Sequence, residues 1–139
     1  MKFNQSILIL AVVAISTTGC KKEDPAKDED PDEKKHMQIT VQNPLQGSTY
    51  SYNESITVEG EIQSNFDAHG YIVRFWNASN LDSLLYETDG HEHGDMISIS
   101  ESWTNNLNDT SEVRIEVIAS SDHQGTYTET AEVNVFCYP

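Results

Sequence analysis

The stretch Glu112-Val-Arg-Ile-Glu-Val-Ile-Ala119, written EVRIEVIA, decides the fold. Side chains alternate faces along a β-strand, so Val113, Ile115, Val117 and Ala119 fall on one face. An amphipathic helix would instead need apolar residues three and four apart. Working outward, the same period recurs. Residues 126–136 alternate through Ala131, Val133 and Val135, and residues 96–103 through Ile97 and Ile99. Residues 84–88 form a short run. Residues 70–77 put Tyr71, Val73 and Phe75 on one face and Ile72, Arg74 and Trp76 on the other. Residues 55–63 alternate through Ile56, Val58, Gly60 and Ile62, and residues 38–42 through Ile39 and Val41 before Pro44. Turn-forming clusters separate the runs, and helical periodicity is confined to the first residues of the chain.

Seven short strands in about 100 residues predict an all-β domain, a seven-stranded antiparallel sandwich of the immunoglobulin or fibronectin-III type. Two local patterns point the same way. Ile39-Thr-Val-Gln-Asn-Pro-Leu-Gln-Gly47 with Tyr52 and Ile56-Thr-Val58 resembles the opening of bacterial Ig-like domains. Ala119-Ser-Ser-Asp-His-Gln-Gly125 followed by Thr-Tyr-Thr128 resembles their last hairpin, where Asp and Gly shape the turn.

Residues 1–19, MKFNQSILILAVVAISTTG, combine Lys2 with nine consecutive apolar residues from Ile7 to Ile15. As a helix that run is roughly 14 Å long, against about 30 Å for a bilayer core, which predicts a cleaved signal peptide and not a transmembrane span. Thr17-Thr-Gly-Cys20 resembles the lipobox of bacterial lipoproteins, with Thr17 where Leu is usual. The resemblance implies cleavage before Cys20 and lipidation there, and so a membrane anchor. Residues 20–36 mix charge with two prolines and hold no large apolar residue, the composition of a solvated tether reaching at most roughly 55 Å. Lys22-Glu-Asp24 resembles the export signal of surface lipoproteins in Bacteroidetes, which implies exposure on the outer membrane. Taken whole, the chain resembles small Bacteroidetes-type lipoproteins with a single His-containing Ig-like domain. The expected organisation is signal peptide 1–19, lipidated Cys and tether 20–36, and β-domain 37–139.

Seven of the 23 acidic residues lie in the tether, leaving 16 in the domain against two basic ones, Arg74 and Arg114. The resulting field repels nucleic acid and attracts cations. With Cys20 lipidated, Cys137 is a lone thiol. No His-Glu-x-x-His, Gly-x-Ser-x-Gly or phosphate-loop pattern occurs, so no enzymatic activity is expected.

The histidines are the best functional lead. In a sandwich of seven alternating strands, even-numbered loops share one end. Loop two is residues 64–69, loop four 89–95 and loop six 120–125. They hold His69, His91, His93 and His123, every histidine of the domain. Neutral imidazole is a common metal ligand, and Asp89, Glu92, Asp95, Asp122 and Asp67 in the same loops are candidate carboxylate helpers. Such a set suits zinc or copper. Met96 is read as core, and Cys137, roughly 36 Å along the last strand from loop six, is excluded as a co-ligand. Calcium at Asp67, Asp89 and Asp122 lacks the alternating Asp/Asn ladder. The alternative is a non-enzymatic adhesion module binding a protein or a glycan through its loops or through Trp76, Tyr50, Tyr52 and Tyr138.

Overall fold

The computed structural model describes residues 34–80 and 83–139. The expected signal peptide, Cys20 and the expected tether up to Glu33 lie outside the described residues. The described chain is all-β: β1 Met37–Asn43, β2 Thr49–Tyr50, β3 Ser55–Asn77, β4 Ser83–Thr104, β5 Ser111–Ser120 and β6 Thr128–Cys137. They form one six-stranded sheet in the order β1-β3-β5-β6-β2, with β4 off this path and also paired with β3. All pairings are antiparallel except β2 with β6.

The strand count corrects the expected seven. The predicted strands 55–63 and 70–77 are one element, β3, and the predicted strands 84–88 and 96–103 are one element, β4. Loops two and four are therefore not chain reversals. The two long strands run past each other as a pair from Ser55↔Thr104 to Asn77↔Ser83. What suggested loops was a break in phase. Along β3 the buried side chains are Ile56, Val58, Ile62 and Ala68, at even positions, and then Tyr71, Val73 and Phe75, at odd ones. A slip of one residue turns a strand's faces over, so a phase break reads as a strand end. Here irregular pairing absorbs it. Between Gln63↔Met96 and Ala68↔Gly94 the extra residues lie on β3, and between His69↔His93 and Tyr71↔Gly90 the extra residue lies on β4. Bulges of this kind bend a strand and re-aim its side chains.

The corner divides the sheet into two regions sharing one core. The first half of β3 pairs with β1 and the second half of β4. The second half of β3 pairs with the first half of β4 and with β5, which carries β6. Both regions contribute to the core: Ile56, Val58, Ile62, Ile97 and Ile99 from one, Val73, Phe75, Val113, Ile115, Val117 and Val135 from the other. The Phe75 and Trp103 rings, one from each region, lie 5.3 Å apart between centroids. Burying each large apolar side chain contributes about 1.5–3 kcal/mol. Met96, read as core, is 63% exposed instead, because its neighbour Ile97 holds the inward position.

Two further features anchor the ends. Lys34–His36, read as tether, lie against β3: Asn65 N–H donates to His36 O at 3.1 Å, His36 N–H to Asn65 Oδ1 at 2.7 Å, and Asn65 Nδ2 to Lys34 O at 3.0 Å. At the far end Asn105 is fully buried. Its backbone exchanges hydrogen bonds with Asn53 and Glu54 at 2.9 Å each, its Nδ2 donates to Tyr138 O at 3.1 Å and its Oδ1 accepts from Leu107 N–H at 3.1 Å.

Candidate metal centre

The histidines sit at the corner. His69 of β3 and His93 of β4 are direct cross-strand partners. Opposed residues of an antiparallel pair place their Cβ atoms about 4.5–5.5 Å apart, within easy reach for two imidazoles. His91 lies two residues before His93, and their rings stand 5.1 Å apart between centroids. The fourth histidine arrives from another direction. β5 runs alongside β3 as far as Ala119↔Tyr71, so the turn between β5 and β6 emerges beside His69.

The distances are short. His69 Nδ1 and His93 Nδ1 are 3.2 Å apart. Ligand nitrogens of His69, His91 and His93 all lie within 4.8 Å of one another. The His69 ring stands edge-on to the other three, with centroids 4.6 Å from His91, 4.2 Å from His93 and 3.8 Å from His123. His91 and His123 are nearly parallel, at 13°. Two nitrogens each about 2.0–2.1 Å from a tetrahedral zinc are about 3.3–3.4 Å apart, so the His69–His93 pair is set near that spacing.

His123 stands apart from this trio. His69 Nε2 is 3.0 Å from its Nδ1 and 2.9 Å from its Nε2. The in-plane lone-pair and N–H directions of one imidazole diverge, so a point equidistant from both nitrogens is aligned with neither. The contact is packing of a ring edge on a ring, and His123 would have to rotate to present a ligand atom. One imidazole also cannot give both nitrogens to the same ion. With Nδ1 facing His93, the Nε2 of His69 is the position at which His123 acts as an outer neighbour.

The backbone explains the tight placement. Gly70, at φ +82°, follows His69, and a Cβ there would lie 2.2 Å from the carbonyl oxygen of Gly90. A Cβ on Gly90 would in turn lie 2.3 Å from the Tyr71 ring. Only glycine at both positions lets the strands cross this closely between His69 and His91. Tyr71 is itself fixed, its hydroxyl donating to Glu101 Oε1 at 3.1 Å while Thr88 Oγ1 donates to Glu101 Oε2 at 3.3 Å. Burial first, and then the Glu101 carboxylate, push the Tyr71 phenol up to about 12.

The carboxylates divide by what they touch. Asp122 shapes the turn carrying His123: its Oδ1 accepts from the N–H groups of Gln124 and Thr126 at 3.0 Å each, and Ser121 Oγ donates to its Oδ2 at 3.3 Å. These bonds, those of Thr126 foremost, hold its carboxyl down at about 2. Asp67 lies 3.9 Å from His93 Nδ1. The carboxylates of Asp89, Glu92 and Asp95 make no side-chain hydrogen bond or ion pair among the described residues. His69 is half-buried, while His91, His93 and His123 are exposed. Desolvation first, then the neighbouring imidazoles of His123, His93 and His91, push His69 below its ordinary value and favour its neutral, ligating form.

The cluster opens on a cleft of about 430 Å³ lined by His69, His91 and His123 together with Ile72, Asp89 and Ile118. Cys137 is at the other end of the sheet, paired with Ser111, while Ser120↔Thr128 closes the histidine end. It is a free, fully buried thiol, raised to about 11 chiefly by burial and then by Glu54. Of the aromatics considered for glycan stacking, Tyr52 and Tyr138 are exposed, and Trp76 packs beneath the Arg114 guanidinium at 5.9 Å. No family model matches this chain, and no curated protein does.

Proposed function

We propose that this protein is a transition-metal-binding module of the cell envelope, holding zinc or copper on His69, His91 and His93 with His123 behind. The observation that carries the reading is the 3.2 Å separation of His69 Nδ1 and His93 Nδ1, a cross-strand pair completed by His91. Three imidazoles without sulfur suit Zn²⁺ or Cu²⁺, and three protein ligands leave a coordination position open. The fourth histidine and an acidic surface that concentrates cations support it further. On this reading the curled sheet is an immunoglobulin- or fibronectin-III-like sandwich whose sheets are joined through β3 and β4. The lipobox-like Cys20 anchors it to the outer membrane, at the cell surface.

Titration of the full chain with Zn²⁺ and Cu²⁺, by calorimetry or native mass spectrometry, tests the proposal. Micromolar or tighter binding is expected, about −8 kcal/mol or better. Changing His91 and His93 together to Ala should weaken it by about 100-fold or more. Binding weaker than about millimolar, or indifferent to that double change, overturns the reading.

A further inference from the structure

The cleft beside the histidines has a composition of its own. Ile72 of β3 and Ile118 of β5 give it an apolar lining. Glu87, Asp89 and Asp122 also line it, and no Lys or Arg does. The acids are not equivalent. Glu87 is neutralised by Arg74, whose Nε donates to it at 2.6 Å, and Asp122 spends its lone pairs on its own turn. Only the Asp89 carboxylate has neither a side-chain hydrogen bond nor an ion pair among the described residues. The cleft's volume, about 430 Å³, falls within the range of small-molecule sites, roughly 300–1,000 Å³.

Two of the three proposed ligands, His69 and His91, line this cleft, and His93 does not. A metal held by the three therefore borders the cleft. We infer that the cleft is a binding site for a small cationic ligand, one that gives a neutral donor atom to the metal and sets an alkylammonium group against Asp89. This inference rests on the metal reading above. The two charges act on different parts of the ligand: the metal needs a lone pair, and Asp89 needs a positive charge beyond it. Anionic ligands of the same shape are disfavoured, since a carboxylate or phosphate placed beside Asp89 is repelled at close range. Apolar contact with Ile72 and Ile118 suits the short alkyl chain joining the two groups.

Two imidazoles of nearly equal size separate these contributions. One carries a 3-(trimethylammonio)propyl group on its ring nitrogen and the other a 3-sulfonatopropyl group. Each offers the metal a single nitrogen. The full chain is loaded with Co²⁺, whose visible spectrum reports coordination, and titrated with each at about 0.15 M salt, where charges beyond about 8 Å are screened. The cationic probe should perturb the spectrum at a concentration at least about ten-fold lower than the anionic one. Asp89→Asn, compared at saturating Co²⁺, should narrow the gap to about three-fold or less. Equal response to both probes, response to neither, or a preference indifferent to Asp89→Asn overturns the inference while the metal reading stands. A chain that takes up no Co²⁺ at its histidines overturns both.

Discussion

The two ends of this sheet use polar groups in opposite ways. At the far end Asn105 is fully buried, and its backbone and amide are tied to Asn53, Glu54, Leu107 and Tyr138. Cys137 is sealed nearby on the last strand, paired with Ser111. At the corner, four imidazoles face one another, and three are exposed. The far end ties the polar groups of Asn105 to the chain itself. The corner keeps its nitrogens for something else. A buried polar group with its partners in place is a statement about stability, whereas a cluster of like bases is one about binding.

That contrast can be broken by experiment. The largest effect should come from His91→Ala with His93→Ala, which removes two ligands from the corner and weakens metal binding by about 100-fold or more, with the metal-free melting temperature nearly unchanged. Next, Asn105→Ala should do the reverse. It leaves the Tyr138 carbonyl and the Leu107 N–H without their side-chain partner, and denaturant unfolding should show a loss of about 2–3 kcal/mol with metal affinity intact. Were Asn105→Ala to abolish metal binding in the folded protein, the two ends would not be independent.

Acidity sharpens the comparison further. The His69 pKa lies below its unfolded value of about 6.5. Below that pH the unfolded chain takes up a proton more readily than the folded one, so stability falls with pH there and recovers above it. Melting of the metal-free protein between about pH 7 and 5 should show this decline, and His69→Gln should flatten it. Metal affinity should drop over the same interval, because each imidazole must be neutral to bind. The smallest effect should be that of His123→Ala. As an outer neighbour it should change metal affinity by about ten-fold or less, measured in the same titration.

Much of this was legible in the sequence, and the part that was not has a physical cause. The period-two runs locate every long strand segment, since buried and exposed positions alternate wherever one face meets the core. The strand count differs because the phase of that alternation breaks twice, between Ala68 and Tyr71 and between Gly90 and Ile97, and a break looks the same whether the chain turns or bulges. The four histidines do converge, but not for the reason expected. Alternating loops were expected to bring them together. Instead, three stand on two paired strands and only His123 is on a turn. Gly70 and Gly90 each stand directly beside a histidine, His69 and His91, but their value is not visible in the sequence because it depends on the facing backbone. Asn105 is silent in the sequence for a similar reason. One Asn in a polar loop reads as solvated until its partners, distant in sequence, are known.

The corner has one more consequence, for cooperativity. Because β3 and β4 each belong to both regions of the sheet, neither region can come apart while the other stays whole without fraying a strand that serves both. A two-sheet protein joined by slack loops can open like a book, but this one has no spine to fold along. The spacing of His69 and His93 is set by hydrogen-bonded backbone in the middle of its longest strands, so it should persist until the whole domain unfolds in a single transition.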